Sequence, residues 1–134
     1  MHLSAKAVAD VFLDTPSFNG HSTVGEALHA GLPVVTEPRE KMPARVAASI
    51  LVAGGLSLMI ARDSTDYLAL ATRILTNSPA RANCRRRTAH AQATVFDIEG
   101  WSGRWERLLL LLYDAAASST HAGQQTKRSH VIQL

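Results

Sequence analysis

Long apolar runs, disulfide-forming cysteines and a strong charge excess are all missing from this chain. Its single cysteine, Cys84, cannot form an internal disulfide, which excludes a disulfide-stabilised scaffold and favours a reducing compartment. Its longest apolar stretches are interrupted by Gly54 and Gly55 or are as short as residues 108–112, so none predicts a membrane span. The first residues lack the basic and apolar regions of a secretory signal. We therefore expect a cytoplasmic or nuclear protein without a membrane partner.

Positive charge is also in short supply for a nucleic-acid-binding protein. The net charge of +3 is the balance of 14 basic and 11 acidic residues. Arg81, Arg85, Arg86 and Arg87 form a basic cluster on a helix predicted to begin at Ser78, but no aromatic residues alternate with them and no nucleic-acid-binding motif is present. A solvated helix face is the favoured interpretation, and we expect no nucleic-acid partner.

The best-known signatures of phosphate and metal binding are absent as well. The chain contains neither G-x-G-x-x-G nor G-x-x-x-x-G-K-[ST], the glycine-rich loops that surround phosphate groups in many nucleotide-binding proteins. Its six histidines show neither H-x-x-x-H nor H-E-x-x-H spacing, the patterns that place two ligands on one helix face. We expect no bound metal.

What the chain does contain is a strand–helix–strand pattern near its N-terminus. Residues 11–13 are apolar and end at Asp14, as is typical of a short buried strand. A helix is predicted to begin at Ser22 and to end at Gly31, and residues 34–36 form the next strand. Strands joined by one helix are parallel. The sequence therefore predicts an α/β fold, a Rossmann-like parallel sheet with flanking helices.

The loop between the first strand and this helix is the candidate site. Residues 18–21 have turn-forming composition, and Gly20 is free to adopt a positive φ. Thr23 and Glu26 match a capping box. A helix N-terminus at the carboxyl end of a strand is a common phosphate-binding position in α/β proteins. The same residues are equally compatible with an ordinary helix cap, so this pattern leaves both interpretations open.

The remaining sequence predicts further α/β structure and then a polar tail. Helices are predicted over residues 44–51, over residues 64–76, from residue 78 onward, and over residues 99–117. A strand is predicted over residues 58–61. We assign residues 1–117 to one domain and expect residues 118–134 to be disordered because they are polar.

Residues 13–36, LDTPSFNGHSTVGEALHAGLPVVT, resemble the C-terminal catalytic half of the protein O-linked N-acetylglucosamine (O-GlcNAc) transferases. The family pattern is close to L-D-T-x-x-x-N-G-H-[ST]-T-x-x-[DE]-x-L-x-x-G-x-P-[VM]-V-T. The segment R-V-A-A-S at residues 45–49 resembles the same family. The resemblance covers roughly residues 2–117 and is sharpest over residues 9–61. It implies the C-terminal half of a two-domain glycosyltransferase of the GT-B type.

The resemblance also implies roles for individual residues. His21, Ser22 and Thr23 occupy the positions that face the diphosphate of the sugar nucleotide, and Glu26 occupies the position that contacts the ribose hydroxyls. His2 occupies the position beside the uracil. The implied donor substrate is UDP-GlcNAc, with no metal required. No catalytic residue of the family is indicated within this chain.

Three departures from the family pattern bear on these roles. Ser22 replaces a threonine and keeps its hydroxyl, whereas Glu26 replaces an aspartate and has a longer side chain. Ser4 and Ala5 stand where the family often has an arginine. The sequence around Asn19 favours GlcNAc over a sugar such as fucose.

Two functions remain for the candidate loop. The first is the UDP-sugar-binding portion of a transferase that modifies serine or threonine of proteins, with the protein acceptor held by regions outside this chain. The second is a non-catalytic remnant that binds a nucleotide or a protein. In either case the other half of the active-site cleft is missing, so we expect the chain alone to be inactive.

Overall fold

The fold was analysed in a computed structural model. It describes the backbone of residues 8–129 and the side chains of residues 8–118. The candidate residue His2 lies outside this range. The chain divides into two compact units between Phe96 and Asp97. The assignment of residues 1–117 to one domain stays a prediction.

The first unit alternates short strands with helices, as the sequence predicts for an α/β fold. Its elements are, in order, β1 (Phe12–Leu13), α1 (Ser22–His29), β2 (Val34–Val35), a 3-10 helix (Met42–Ala44), α2 (Val46–Ala53), a second 3-10 helix (Ser57–Met59), α3 (Ser64–Thr76) and α4 (Ser78–Val95). The predicted helices of this unit are therefore confirmed, with ends that differ by a few residues.

The two strands form a small parallel sheet. Phe12 lies opposite Val34, and Leu13 lies opposite Val35. This pairing confirms the predicted parallel arrangement. The strand predicted over residues 58–61 is wrong for most of its length, because a 3-10 helix occupies Ser57–Met59 and only Ile60 forms a parallel bridge, to Thr36.

The core lies between the sheet and the surrounding helices. One face of α1 contributes Val24, Ala27 and Leu28, at the i, i+3, i+4 spacing of a buried helical stripe. The largest apolar side chains that are almost completely buried are Val24, Leu28, Leu32, Val34, Val35, Leu51, Leu56, Met59 and Ile74. The core thus holds β2 and the inner face of α1 in place, and α1 begins at the candidate loop.

The C-terminal end of α1 is held by specific contacts. Gly31 adopts φ of +74° just after the helix, a conformation that glycine tolerates and that commonly ends helices. The Gln92 amide of α4 donates hydrogen bonds to the carbonyls of Leu28 and His29, at 2.8 and 3.1 Å. The C-terminal carbonyls of α1 are therefore satisfied within the fold.

One buried hydroxyl lacks a partner in the described part of the chain, and this yields a stability prediction. Thr88 is fully buried on α4, and its Oγ1 makes no hydrogen bond to any described residue. Burying an unpaired hydroxyl is unfavourable. We expect Thr88→Val to raise the free energy of unfolding by about 1 kcal/mol, measured by urea denaturation. Thr88→Ser, which keeps the hydroxyl and removes a methyl group, should lower it.

The second unit contains one long helix, α5 (Ile98–Ser129). At its start the Asp97 carboxylate accepts a hydrogen bond from the Gly100 N–H at 2.9 Å, and the rings of Trp101 and Trp105 stack with centroids 5.8 Å apart. The helix continues beyond residue 117, where we predicted a disordered tail. Polarity alone does not distinguish a solvated helix from disorder, so the disorder expected for residues 118–134 stays a prediction. Residues 130–134 lie outside the described range.

Across the described residues, no helix combines the length and hydrophobicity needed to cross a membrane.

Candidate functional site

The candidate site lies where both strands end. The polypeptide that leaves β1 forms a loop over residues 14–21 and enters α1, and the polypeptide that leaves β2 forms a connection over residues 36–45 and enters α2. Because the strands are parallel, their carboxyl ends share one edge of the sheet. In open α/β folds ligands bind outside this edge.

Asp14 anchors the loop to the neighbouring strand. Its side chain is 2% exposed. One carboxylate oxygen accepts a hydrogen bond from the Gly20 N–H, and the other accepts one from the Thr36 hydroxyl, each at 2.7 Å. The Tyr67 hydroxyl of α3 donates to the Asp14 carbonyl at 2.9 Å. Asp14 therefore links both ends of the loop to β2 and α3.

Asn19 connects the same loop to the polypeptide around the start of α2. It is 1% exposed. Its N–H donates to the Pro43 carbonyl at 2.8 Å and its side-chain amide donates to the Thr15 carbonyl at 3.0 Å. Its side-chain oxygen accepts a hydrogen bond from the Ala47 N–H at 3.3 Å.

Three of the predicted site residues lie together at the start of α1. His21 is the N-cap residue, and Ser22 and Thr23 form the first turn; all three are exposed. The His21 ring stacks on Phe18, with centroids 5.3 Å apart. Glu26 lies one turn further along, at the i+4 position from Ser22, so it shares that helix face. The structure thus brings together four of the five predicted residues.

The predicted capping box makes Thr23 the N-cap of α1, and this assignment is wrong. The N-cap of α1 is His21, and no side-chain capping hydrogen bond is present there, so Thr23 lies inside the first turn. Extended backbone at the cap, which the motif requires, is absent because His21 adopts φ of −95° and ψ of −85°.

Gly20 is required for space and not for its backbone angle. Among the described glycines, positive φ is found at Gly31 and Gly55, so the loop does not use the left-handed conformation that was open to Gly20. A Cβ atom at this position would lie 2.3 Å from the Thr23 Oγ1 and 3.1 Å from a Val24 methyl group. The absence of a side chain at Gly20 therefore lets Thr23 pack against the loop.

A second buried carboxylate follows β2. Glu37 accepts hydrogen bonds from the Ser64 hydroxyl at 3.0 and 3.2 Å and pairs with Arg39 at 3.3 Å. Burial raises the pKa of Tyr67, and the negative charges of Asp14 and Glu37 raise it further. Tyr67 is therefore a neutral hydrogen-bond donor at physiological pH.

An open cleft of about 520 Å³ lies beside the candidate loop, lined by Ser17, Arg39, Glu40, Lys41 and Ala44. Its lining comes from both polypeptide segments that leave the sheet at this edge. Asp14, Asn19 and Glu37 were not predicted as site residues. Each is polar and lies shortly after a predicted strand, and this position is the signal that would have identified them.

The basic cluster on α4 is divided between structural and exposed positions. Arg81 and Arg85 both pair with Asp10, at 3.4 and 3.8 Å, whereas Arg86 and Arg87 are exposed. Because part of the cluster already has an acidic partner, its positive surface is smaller than the sequence suggests. This division weighs against a nucleic-acid-binding module.

The single cysteine is buried in the core. Burial raises the pKa of the Cys84 thiol, although nearby Arg73 and Arg87 lower it in part. Since the thiolate is the reactive form, this environment favours an inert thiol.

Among the described residues, no group of three or more histidine, cysteine or acidic side chains is placed to hold a metal ion. The sequence-based expectation of a metal-free site stays a prediction.

Comparison with known proteins defines the class of protein to which this fold and site belong. The structure superposes on a mutant of the O-GlcNAc transferase of Thermobaculum terrenum with a TM-score of 0.63 and 26% identity, over 77% of this chain and 22% of that chain. The fold is therefore an α/β portion of a two-domain, GT-B glycosyltransferase, as the sequence predicted. A sequence model of glycosyl transferase family 41 matches residues 1–103. The chain belongs to glycosyl transferase family 41.

Full-length relatives support this assignment. The chain is 34% identical to a UDP-N-acetylglucosamine–peptide N-acetylglucosaminyltransferase of Caenorhabditis elegans, over 96% of this chain. It is 33% identical to a probable enzyme of the same name from Arabidopsis thaliana, over 98% of this chain. It spans only 12% and 13% of the lengths of these two relatives.

Proposed function

We propose that this chain is the UDP-sugar-binding portion of a glycosyltransferase that transfers GlcNAc from UDP-GlcNAc to serine or threonine of proteins. The observation that supports this most strongly is the arrangement at the start of α1. His21, Ser22 and Thr23 are exposed there, and no side-chain capping bond forms at His21. A helix N-terminus of this kind attracts anions through its N–H groups and its dipole.

Each predicted residue has a role that its chemistry can perform. The hydroxyls of Ser22 and Thr23 and the His21 ring are hydrogen-bond donors suited to a diphosphate. The Glu26 carboxylate, one turn along the same face, can accept hydrogen bonds from two neighbouring ribose hydroxyls. His2 is proposed beside the uracil on the resemblance to the family alone.

Stabilisation of the leaving group is the contribution that this portion makes to transfer. When the acceptor hydroxyl attacks the anomeric carbon, its proton passes to a base, the bond from that carbon to the diphosphate oxygen breaks, and UDP departs with negative charge. Donors already directed at this charge lower the barrier, and removing one such donor typically raises it by ~3 kcal/mol. The residues that bind the acceptor and complete the cleft belong to regions outside this chain, so we expect no transfer by the chain alone.

A non-catalytic remnant remains the second candidate function, because the chain spans only about an eighth of its relatives. The two candidates share the nucleotide site and differ in whether the rest of the enzyme is supplied. We further propose that the protein acts in the cytoplasm or nucleus, on protein acceptors.

Titration calorimetry with UDP tests the proposed site. We expect millimolar or tighter binding by the folded chain. The double variant His21→Ala, Thr23→Ala should lower the affinity at least about tenfold, because hydrogen bonds to charged groups contribute ~1.5–3 kcal/mol each.

A matched double variant provides the control. Thr72→Ala with His90→Ala removes the same two side-chain types from exposed positions on α3 and α4, and it should leave UDP affinity unchanged. If the folded chain shows no binding at millimolar UDP, the proposed site is wrong. Equal loss of affinity in the two double variants would place the site elsewhere.

A further inference from the structure

Two residues of the candidate loop are deeply buried, and only Asn19 connects the loop to the part of the opposite segment that leads into α2. Asp14 links the loop to β2 and α3. Asn19 instead reaches Pro43 and Ala47, on the polypeptide that enters α2. Both segments line the cleft at the carboxyl edge of the sheet. Asn19 therefore joins the two walls of the cleft that lies beside the proposed site.

We infer that Asn19 is a positioning residue for the diphosphate side of the UDP site. Its hydrogen bonds to Thr15, Pro43 and Ala47 hold the loop in the geometry that directs His21, Ser22 and Thr23 toward the ligand. This inference rests on the proposed function, since it concerns the same site.

The chemistry of asparagine fits this position closely. The side chain must donate to a carbonyl on one side and accept from a backbone N–H on the other. An amide carries both capacities on adjacent atoms, whereas aspartate at neutral pH only accepts and serine is too short to span both partners. At 1% exposure, solvent cannot replace a lost partner without the loop moving.

Loss of the Asn19 side chain lowers the fraction of molecules in which the loop has the geometry needed for binding. Apparent affinity falls in proportion to the fraction of molecules that hold the competent geometry. If Asn19→Ser leaves the loop in this geometry about one tenth of the time, the dissociation constant for UDP rises ~10-fold.

The experiment measures UDP affinity of the full chain and of Asn19→Ser by calorimetry, under conditions where urea titration shows both to be folded. Asn83→Ser is the matched control, because Asn83 lies on α4 and its only described side-chain contact is at 3.5 Å from Arg86. We expect a roughly tenfold loss of affinity for Asn19→Ser and none for Asn83→Ser. In ¹⁵N correlation spectra of the unliganded proteins, the amides of Gly20, Ser22 and Thr23 should shift in the first variant only.

If Asn19→Ser does not fold, a second pair of variants tests the positioning role of Asn19. Asn19→Asp keeps the shape and the acceptor for the Ala47 N–H but loses the donor to Thr15. Ser17→Asp places the same charge on the same loop without changing those bonds. We expect Asn19→Asp to weaken UDP binding severalfold more than Ser17→Asp; equal weakening would show an effect of charge and overturn the positioning role.

The outcomes separate this inference from the proposed function. Wild-type binding together with unchanged affinity in folded Asn19→Ser overturns the role of Asn19 and leaves the UDP site in place. Absence of UDP binding by the wild-type chain overturns both.

Discussion

Asp14→Ala is expected to lower the free energy of unfolding by about 3 kcal/mol. The substitution removes the acceptor of the Gly20 N–H and of the Thr36 hydroxyl, both held at 2.7 Å. Leaving a buried donor without an acceptor typically costs ~1–3 kcal/mol, and two donors are affected. Urea denaturation followed by circular dichroism measures the change.

Asp63→Ala provides the comparison for this prediction. Asp63 also accepts a backbone N–H, from Asp66 at 2.8 Å, but as the exposed N-cap of α3. Loss of such a cap typically costs ~1 kcal/mol, so Asp14→Ala should be clearly the more destabilising. Similar losses in the two variants would contradict the anchoring role of Asp14.

Gly20→Ala is expected to have the second large effect, on stability and on UDP affinity together. The new Cβ would lie 2.3 Å from the Thr23 Oγ1, so the side chain of Thr23 or the loop has to move. Overpacking of this kind typically costs ~1–3 kcal/mol. Because Thr23 belongs to the proposed diphosphate site, UDP affinity should fall at least about tenfold.

Gly25→Ala is the matched control, in the helix that follows the loop. A Cβ at Gly25 meets no atom within 4 Å, and alanine is a better helix former than glycine by ~0.8–1 kcal/mol. This variant should be slightly more stable than the wild type and should bind UDP equally well. Loss of affinity in both variants would show that the Gly20 result does not depend on the contact with Thr23.

The local pattern of apolar and polar residues was enough to predict most of the first unit. The parallel pairing of β1 with β2 and the start of α1 at Ser22 follow from a strand–helix–strand pattern. The start of α3 is also where the sequence predicts it, because the Asp63 side chain caps that helix. These features depend on neighbours in the chain, which the sequence displays directly.

Features that depend on distant residues were predicted poorly. Residues 58–61 are apolar enough for a strand, yet only Ile60 bridges to Thr36. Gly20 has turn-forming neighbours, yet what makes glycine necessary is the position of Thr23 after the helix has formed.

The sequence by itself determined the fold class, the family and four of the residues proposed at the site, because motifs and periodicity are properties of short segments. Tertiary structure alone decided how the loop is held. Asp14 and Asn19 acquire their roles from partners that include residues 6, 22, 28 and 53 positions away along the chain. Hydrogen bonds between such distant groups exist only once the sheet edge has brought the segments together, so no local pattern encodes them.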